Sequence, residues 1–153
     1  MKTDDPDLTE NAPASAVASD DPPAALVDRV MAIAHLQPAA HVAIIGRRTL
    51  PLVLALMRRG CDCVCSLRPG APSPDREAVD LAWIVDVASD EELDEALRVA
   101  RARLAGSERV SGRVIVEGAV CVRRSGLPGL CDRADAAGLE IVSFDHMAGR
   151  LVL

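Results

Sequence analysis

Short apolar runs separated by helix-patterned stretches constrain this chain more than any other feature. His41 to Gly46 (HVAIIG) holds four consecutive apolar residues and stops at a glycine. A run so short and unbroken has no polar face to offer water, which fits a strand covered on both sides. Three more candidate strands follow: Cys61 to Leu67, Val79 to Val87 (VDLAWIVDV) and Arg113 to Gly118 (RVIVEG). Parallel strands need crossover connections, and helices supply them. The alternation therefore predicts an α/β chain with a parallel sheet and right-handed crossovers.

The helix signals are local. A leading helix has Asp21 as N-cap and Pro22 at its first position, with Leu26, Val30 and Ile33 at helical spacing and Pro38 as its stop. Thr49 is the candidate N-cap of a helix from Leu50 to Arg59, closed by Gly60. That helix is apolar on nearly every side, so burial all round is expected. Ser89 and Glu92 form a capping box. Asp90, Glu91 and Glu92 fill the first turn of its helix and Arg98, Arg101 and Arg103 the last, matching the helix dipole. Leu93, Ala96, Leu97, Ala100 and Leu104 make its inward stripe, and Gly106 closes it.

Pro69, Gly70, Pro72 and Pro74 break the chain after the second run, leaving room for one helical turn over Ser73 to Val79. A short helix from Pro128 to Ala137 stops at Gly138. Leu139 to Asp145 and Arg150 to Leu153 then read as two strands joined by a tight connection, a hairpin. No internal repeat is present.

Composition sets outer limits. A chain of 153 residues suits one domain with a real core. Aromatic residues make up 1%, Trp83 and Phe144, so that core is built from Leu, Val, Ile and Ala. So few aromatics argue against stacking on single-stranded nucleic acid. The net charge of −6 is uneven. Residues 1–21 carry six acids against Lys2 alone, while the remainder is nearly neutral. Nothing is basic enough to hold duplex DNA through its phosphates. The first 21 residues read as a disordered acidic tail, a solubilising end or a docking segment, and residues 22–153 as the folded domain. The start has no signal-peptide pattern and no run reaches the ~18–20 apolar residues of a membrane span. With five cysteines and no secretory signal, reduced thiols and a cytoplasmic location are expected.

The order helix, strand–helix–strand, strand–helix–strand and closing hairpin resembles the class I S-adenosylmethionine-dependent methyltransferases over roughly Pro22 to Leu153. Three stretches carry the likeness: the first strand with its glycine, His41 to Leu50; the acid–strand–helix–strand unit, Asp80 to Gly118; and the glycine–strand–turn–strand ending, Gly138 to Leu153. The resemblance implies a shortened Rossmann-like three-layer α/β sandwich. Its mostly parallel sheet has about six strands and ends in an antiparallel hairpin.

The family's cofactor loop reads acid-x-G-x-G-x-G. Laid on this chain, the acid falls at Ile44 and the glycines at Gly46, Arg48 and Leu50, so only Gly46 keeps the pattern. Bare backbone at such positions lets a nucleotide approach closely. The family's ribose-binding acid falls at Leu67 and Arg68. The span from Arg68 to Asp80 is short for the helix and strand found there in the family. One strand is therefore expected to be missing, with Cys61 to Leu67 left as a sheet edge.

Ligands in open α/β sheets sit at the carboxyl ends of strands. With the resemblance, this implies a degenerate cofactor pocket at Gly46, Arg47, Arg48, Arg68 and Asp86. Arg47, Arg48 and Arg68, with Arg123 and Arg124, are alternatively a site for phosphate or carboxylate. Cys61, Cys63 and Cys65 share one strand face at nearly 7 Å spacing, from two rises of ~3.3 Å, better suited to small buried side chains than to a metal. Cys121 and Cys131 read as isolated structural residues. Neither Asp86 nor Glu117 has the partners of a catalyst, and His35, His41 and His146 are scattered.

Three functions fit these residues. The first is a non-catalytic methyltransferase-like domain acting as an interaction or regulatory module. It would need no cofactor, and the edge strand would meet a second copy or another protein. The second is a divergent S-adenosylmethionine-dependent methyltransferase of a small molecule. The third is a binding protein for an anionic, phosphorylated ligand.

Overall fold

The computed structural model describes residues 22–71, 77–105, 112–117, 119–140, 143–145 and 150–153. The acidic tail, and the Asp21 cap with it, lie outside these residues, as do Gly106, Gly118 and the turn at 146–149.

Ten elements follow in the order α1 (Pro23–Ala34), β1 (His41–Gly46), α2 (Leu50–Met57), β2 (Cys63–Leu67), β3 (Leu81–Val85), α3 (Asp90–Leu104), β4 (Arg113–Glu117), α4 (Ala119–Ala136), β5 (Ser143–Asp145) and β6 (Arg150–Val152). They build one sheet in the order β2-β1-β3-β4-β6-β5. The first four strands of that order are mutually parallel. β6 enters antiparallel between β4 and β5, so the closing hairpin folds back into the sheet.

The sheet grows from β1 to β2 in one direction and from β3 to β4 in the other. Crossovers of one hand then place α2 and α3 on opposite faces. The core divides accordingly. On one face, Val42, Ile44, Leu81, Trp83 and Ile115 pack with Val27 and Val30 of α1 and Leu52, Ala55 and Leu56 of α2. On the other, Ala43, Ile45, Ala82, Ile84, Val114 and Val116 pack with Leu93, Ala96, Leu97 and Ala100 of α3 and with Leu130 and Ala134 of α4. Neighbouring residues of one strand thus serve opposite layers, the period-two alternation of a pleated strand. Each fully buried Ile or Leu contributes roughly 1.5–3 kcal/mol relative to exposure. A core almost without aromatics is sufficient for that reason. Trp83 is its largest member, fully buried, and its indole Nε1 finds no hydrogen-bond partner among the described residues.

The expected elements are present with several corrections. β1 has its expected bounds. β2, β3 and β6 are shorter than their apolar runs, and Cys61 is buried just outside β2. Pro22 occupies the cap of α1 and Pro23 its first turn. That helix ends before Pro38 is reached, because His35 takes a left-handed conformation (φ 51°) and Leu36 N–H bonds back to Met31 O at 3.0 Å.

α2 is not buried all round. Eight residues present one face to the sheet, through Leu52, Ala55 and Leu56. Leu50, Leu54 and Met57 on the other side are 66%, 45% and 55% exposed. With Pro22, Pro23 and Pro51, Leu50 and Leu54 line a surface groove of about 460 Å³. The final helix begins before Pro128: α4 has a first segment from Ala119 and a kink at Gly126 (φ 64°, ψ 175°). Most of the turn expected over 73–79 falls outside the described residues, and 77–79 carry no regular structure. No helix among the described residues is long and apolar enough to cross a membrane.

Candidate functional site at the carboxyl ends of β1 and β3

The reversal of sheet growth between β1 and β3 opens a crevice at their carboxyl ends, where folds of this kind hold ligands. Gly46 ends β1 opposite Val85 of β3. A Cβ on Gly46 would stand 1.9 Å from Val85 O and 2.9 Å from Val85 C. The sheet itself therefore requires glycine here, quite apart from any ligand.

Past Gly46, the side chains of Arg47, Arg48 and Thr49 reach three different parts of the fold. Arg48 donates from Nε to Asp86 Oδ2 at 2.8 Å and from Nη2 to Oδ1 at 3.3 Å, a forked pair. Asp86 directly follows β3 and sits in the left-handed region (φ 50°), which Asp tolerates better than most side chains. The hydrogen bond from Arg48 holds the Asp86 carboxyl below the usual carboxylate range, against a smaller opposing effect of burial. Arg47 pairs with Glu92 in the first turn of α3. Glu92 Oε2 also accepts from Ala88 N–H at 2.9 Å, while Ser89 Oγ accepts from Glu92 N–H at 3.2 Å. The capping box is therefore present, with Glu92 reaching one residue beyond the cap. The Ala88 N–H, and after it Arg47, lower the Glu92 carboxyl from its ordinary value.

Thr49 does not cap α2 with its side chain. Its hydroxyl is buried and lies 2.6 Å from Ser66 Oγ on β2. Leu50 opens α2 and is exposed. The loop after β1 is thus pinned to β2, to the end of β3 and to the start of α3 by Thr49, Arg48 and Arg47 in turn.

Gly46, Arg47, Arg48 and Asp86 come together here. Arg68 follows β2, one position beyond the Ile45–Leu67 pair of the register, and is exposed. It makes no ion pair with a described residue. The side chains of Arg123 and Arg124 lie outside the description, as does His146. His41 starts β1 at the opposite end of the sheet, and His35 caps α1.

Glu117 ends β4 and accepts from Arg150 Nε at 2.6 Å across the β4–β6 register; the two side chains are 11% and 3% exposed. That buried pair fastens the hairpin. Cys65 packs on the α3 face, while Cys63 is exposed. Burial pushes the thiols of Cys61 and Cys65 up, so both are poor nucleophiles at neutral pH. No group of three His, Cys, Asp or Glu side chains among the described residues is placed to hold a metal. Among the described residues, the side chains at the ends of β1 and β3 form charge pairs.

No protein-family model matches the sequence, and no curated protein matches it. Among solved structures, the chain is similar to a TehB-like SAM-dependent methyltransferase from Corynebacterium glutamicum. The TM-score is 0.61 at 14% identity, covering 87% of this chain and 86% of that one. The chain has a class I methyltransferase-like fold.

A SAM-bound amino pentose methyltransferase from Micromonospora echinaspora, CalS10, also matches, at a TM-score of 0.37 and 18% identity over 63% of this chain and 49% of that one. At such identities the likeness is one of fold. Where the resemblance places two of its glycines this chain has Arg48 and Leu50; Arg48 pairs with Asp86, and β2 ends at Leu67, followed by Arg68.

Proposed function

We propose that this chain is a non-catalytic methyltransferase-like domain that acts as an interaction or regulatory module. One observation carries the reading: the forked Arg48–Asp86 pair lies across the carboxyl ends of β1 and β3, where a nucleoside would need free backbone. A ligand entering there must break that pair and the Arg47–Glu92 pair beside it. It gains no carboxylate for its ribose hydroxyls from the end of β2. Each pair is exposed and individually weak, so the main obstacles are the side chains at Arg48 and Leu50 and the lack of a ribose carboxylate at the end of β2.

Both alternatives meet the same obstacle. A divergent methyltransferase requires a cofactor pose that accepts Arg48 and Leu50. An anionic-ligand protein built on Arg47, Arg48 and Arg68 meets it at two of the three, because Arg47 and Arg48 already hold Glu92 and Asp86 while Arg68 makes no ion pair with a described residue.

The test is isothermal titration calorimetry of the full chain with S-adenosylmethionine. The expected result is no saturable heat. Micromolar binding would overturn the proposal, and a methylation assay would then decide for the divergent enzyme.

A further inference from the structure

β2 is the outermost strand at one margin of the sheet and pairs with β1. An open strand edge offers unpaired N–H and C=O groups, and proteins usually guard it with charges, prolines or bulges inside the strand. β2 has none of these: its five residues are Cys63, Val64, Cys65, Ser66 and Leu67. The charges stand immediately outside it, Asp62 before and Arg68 after. Both are exposed, and neither makes an ion pair with a described residue.

We propose that two copies of this chain associate through β2, pairing antiparallel about a two-fold axis at Cys65. Strand geometry selects that register. Backbone groups alternate in direction along a strand, so only residues aimed alike can face each other across an antiparallel pair. For identical strands the two-fold axis therefore passes through a residue, never between residues. The register that overlaps the whole strand puts the axis at Cys65, with Cys63 opposite Leu67 and Val64 opposite Ser66.

One step further out, Asp62 of each copy faces Arg68 of the other, at both ends of the ribbon. The strand and its flanks are thus complementary to their own reverse, as a two-fold interface requires. A parallel, in-register pairing would instead set Asp62 beside Asp62 and Arg68 beside Arg68, which is unfavourable. This identifies a partner for the interaction-module reading and rests on that reading only for its biological purpose; the geometry stands without it.

The experiment is sedimentation velocity on the full chain under reducing conditions at low salt, over a rising concentration series. A reversible monomer–dimer equilibrium is expected, weak because a short strand pair buries little area. Asp62→Arg alone, or Arg68→Asp alone, places like charges opposite at both ends and weakens association about tenfold. The double variant Asp62→Arg with Arg68→Asp restores complementarity and returns the affinity to near that of the parent. Both positions are exposed, so all three variants keep the parent's melting temperature.

A chain that stays monomeric throughout overturns the proposal. So does a dimer indifferent to the single reversals, or one the double variant fails to rescue. None of these outcomes bears on the calorimetry with S-adenosylmethionine, so the two proposals fail separately.

Discussion

At the scale of single residues, Gly46 shows how one amino acid can answer two questions. In the sequence it reads as the first glycine of a cofactor loop, the one position that keeps the pattern. In the structure its lack of a side chain lets β1 lie against the Val85 carbonyl, with a hypothetical Cβ at 1.9 Å. The obstructing atoms are backbone of a central strand and cannot rotate away. Gly46→Ala is therefore expected to destabilise the protein by about 3 kcal/mol or more, as overpacking against fixed backbone does. Urea unfolding measures this, and a variant with the parent's midpoint contradicts it. Arg48 was legible as the wrong residue for a nucleotide loop. Its partner was not, because Asp86 lies 38 positions away in the chain and only the sheet brings the two together.

At the scale of elements, legibility followed the range of the forces involved. α3 could be read almost completely, since its acidic first turn and inward stripe are encoded within its own 15 residues and its cap in Ser89 just before them. β1 was equally plain, because a short unbroken apolar run that stops at a glycine fits a strand covered on both faces. α2 was misread because its composition is apolar all round, while an eight-residue helix on a sheet edge has only one face to bury. The first segment of α4 was missed because Pro128 read as the start of the helix, whereas Gly126 supplies a kink that joins an earlier segment to it.

The β4–β6 junction offers a test at this scale. Arg150 is 3% exposed and relies on Glu117. Removing the carboxylate leaves a buried cation uncompensated, which costs about 3 kcal/mol or more. Glu117→Ala should therefore unfold at clearly lower urea, while Arg150→Met, which takes away the charge and keeps much of the volume, should lose less. Equal losses in the two variants would show that the pair does not hold the hairpin in this way.

At the scale of the whole molecule, surface ion pairs tie segments that no local signal connects. Arg48–Asp86 and Arg47–Glu92 link the loop after β1 to the end of β3 and the first turn of α3, and Arg59–Asp28 joins α2 to α1. The three carboxyl groups are each held below their ordinary values. For Asp86 and Asp28 the main cause is the hydrogen bond from the arginine, and for Glu92 it is the Ala88 N–H followed by Arg47. The sign of the pH dependence follows. Where a carboxyl binds its proton less readily in the folded chain, the unfolded chain holds more protons, so stability rises with pH.

The contribution is complete above the ordinary carboxylate pKa of roughly 4 and is lost as pH falls through the depressed folded values. The exposed pairs are individually weak and screened by salt, so the effect is best read as a difference between proteins. Arg48→Ala should melt below the parent at neutral pH and low salt. The gap should narrow when salt is added, and close as the pH is taken down past the carboxylate range, because the parent then loses the same pair by protonation. A gap that persists in acid would assign the role of Arg48 to packing of its aliphatic stem rather than to its charge.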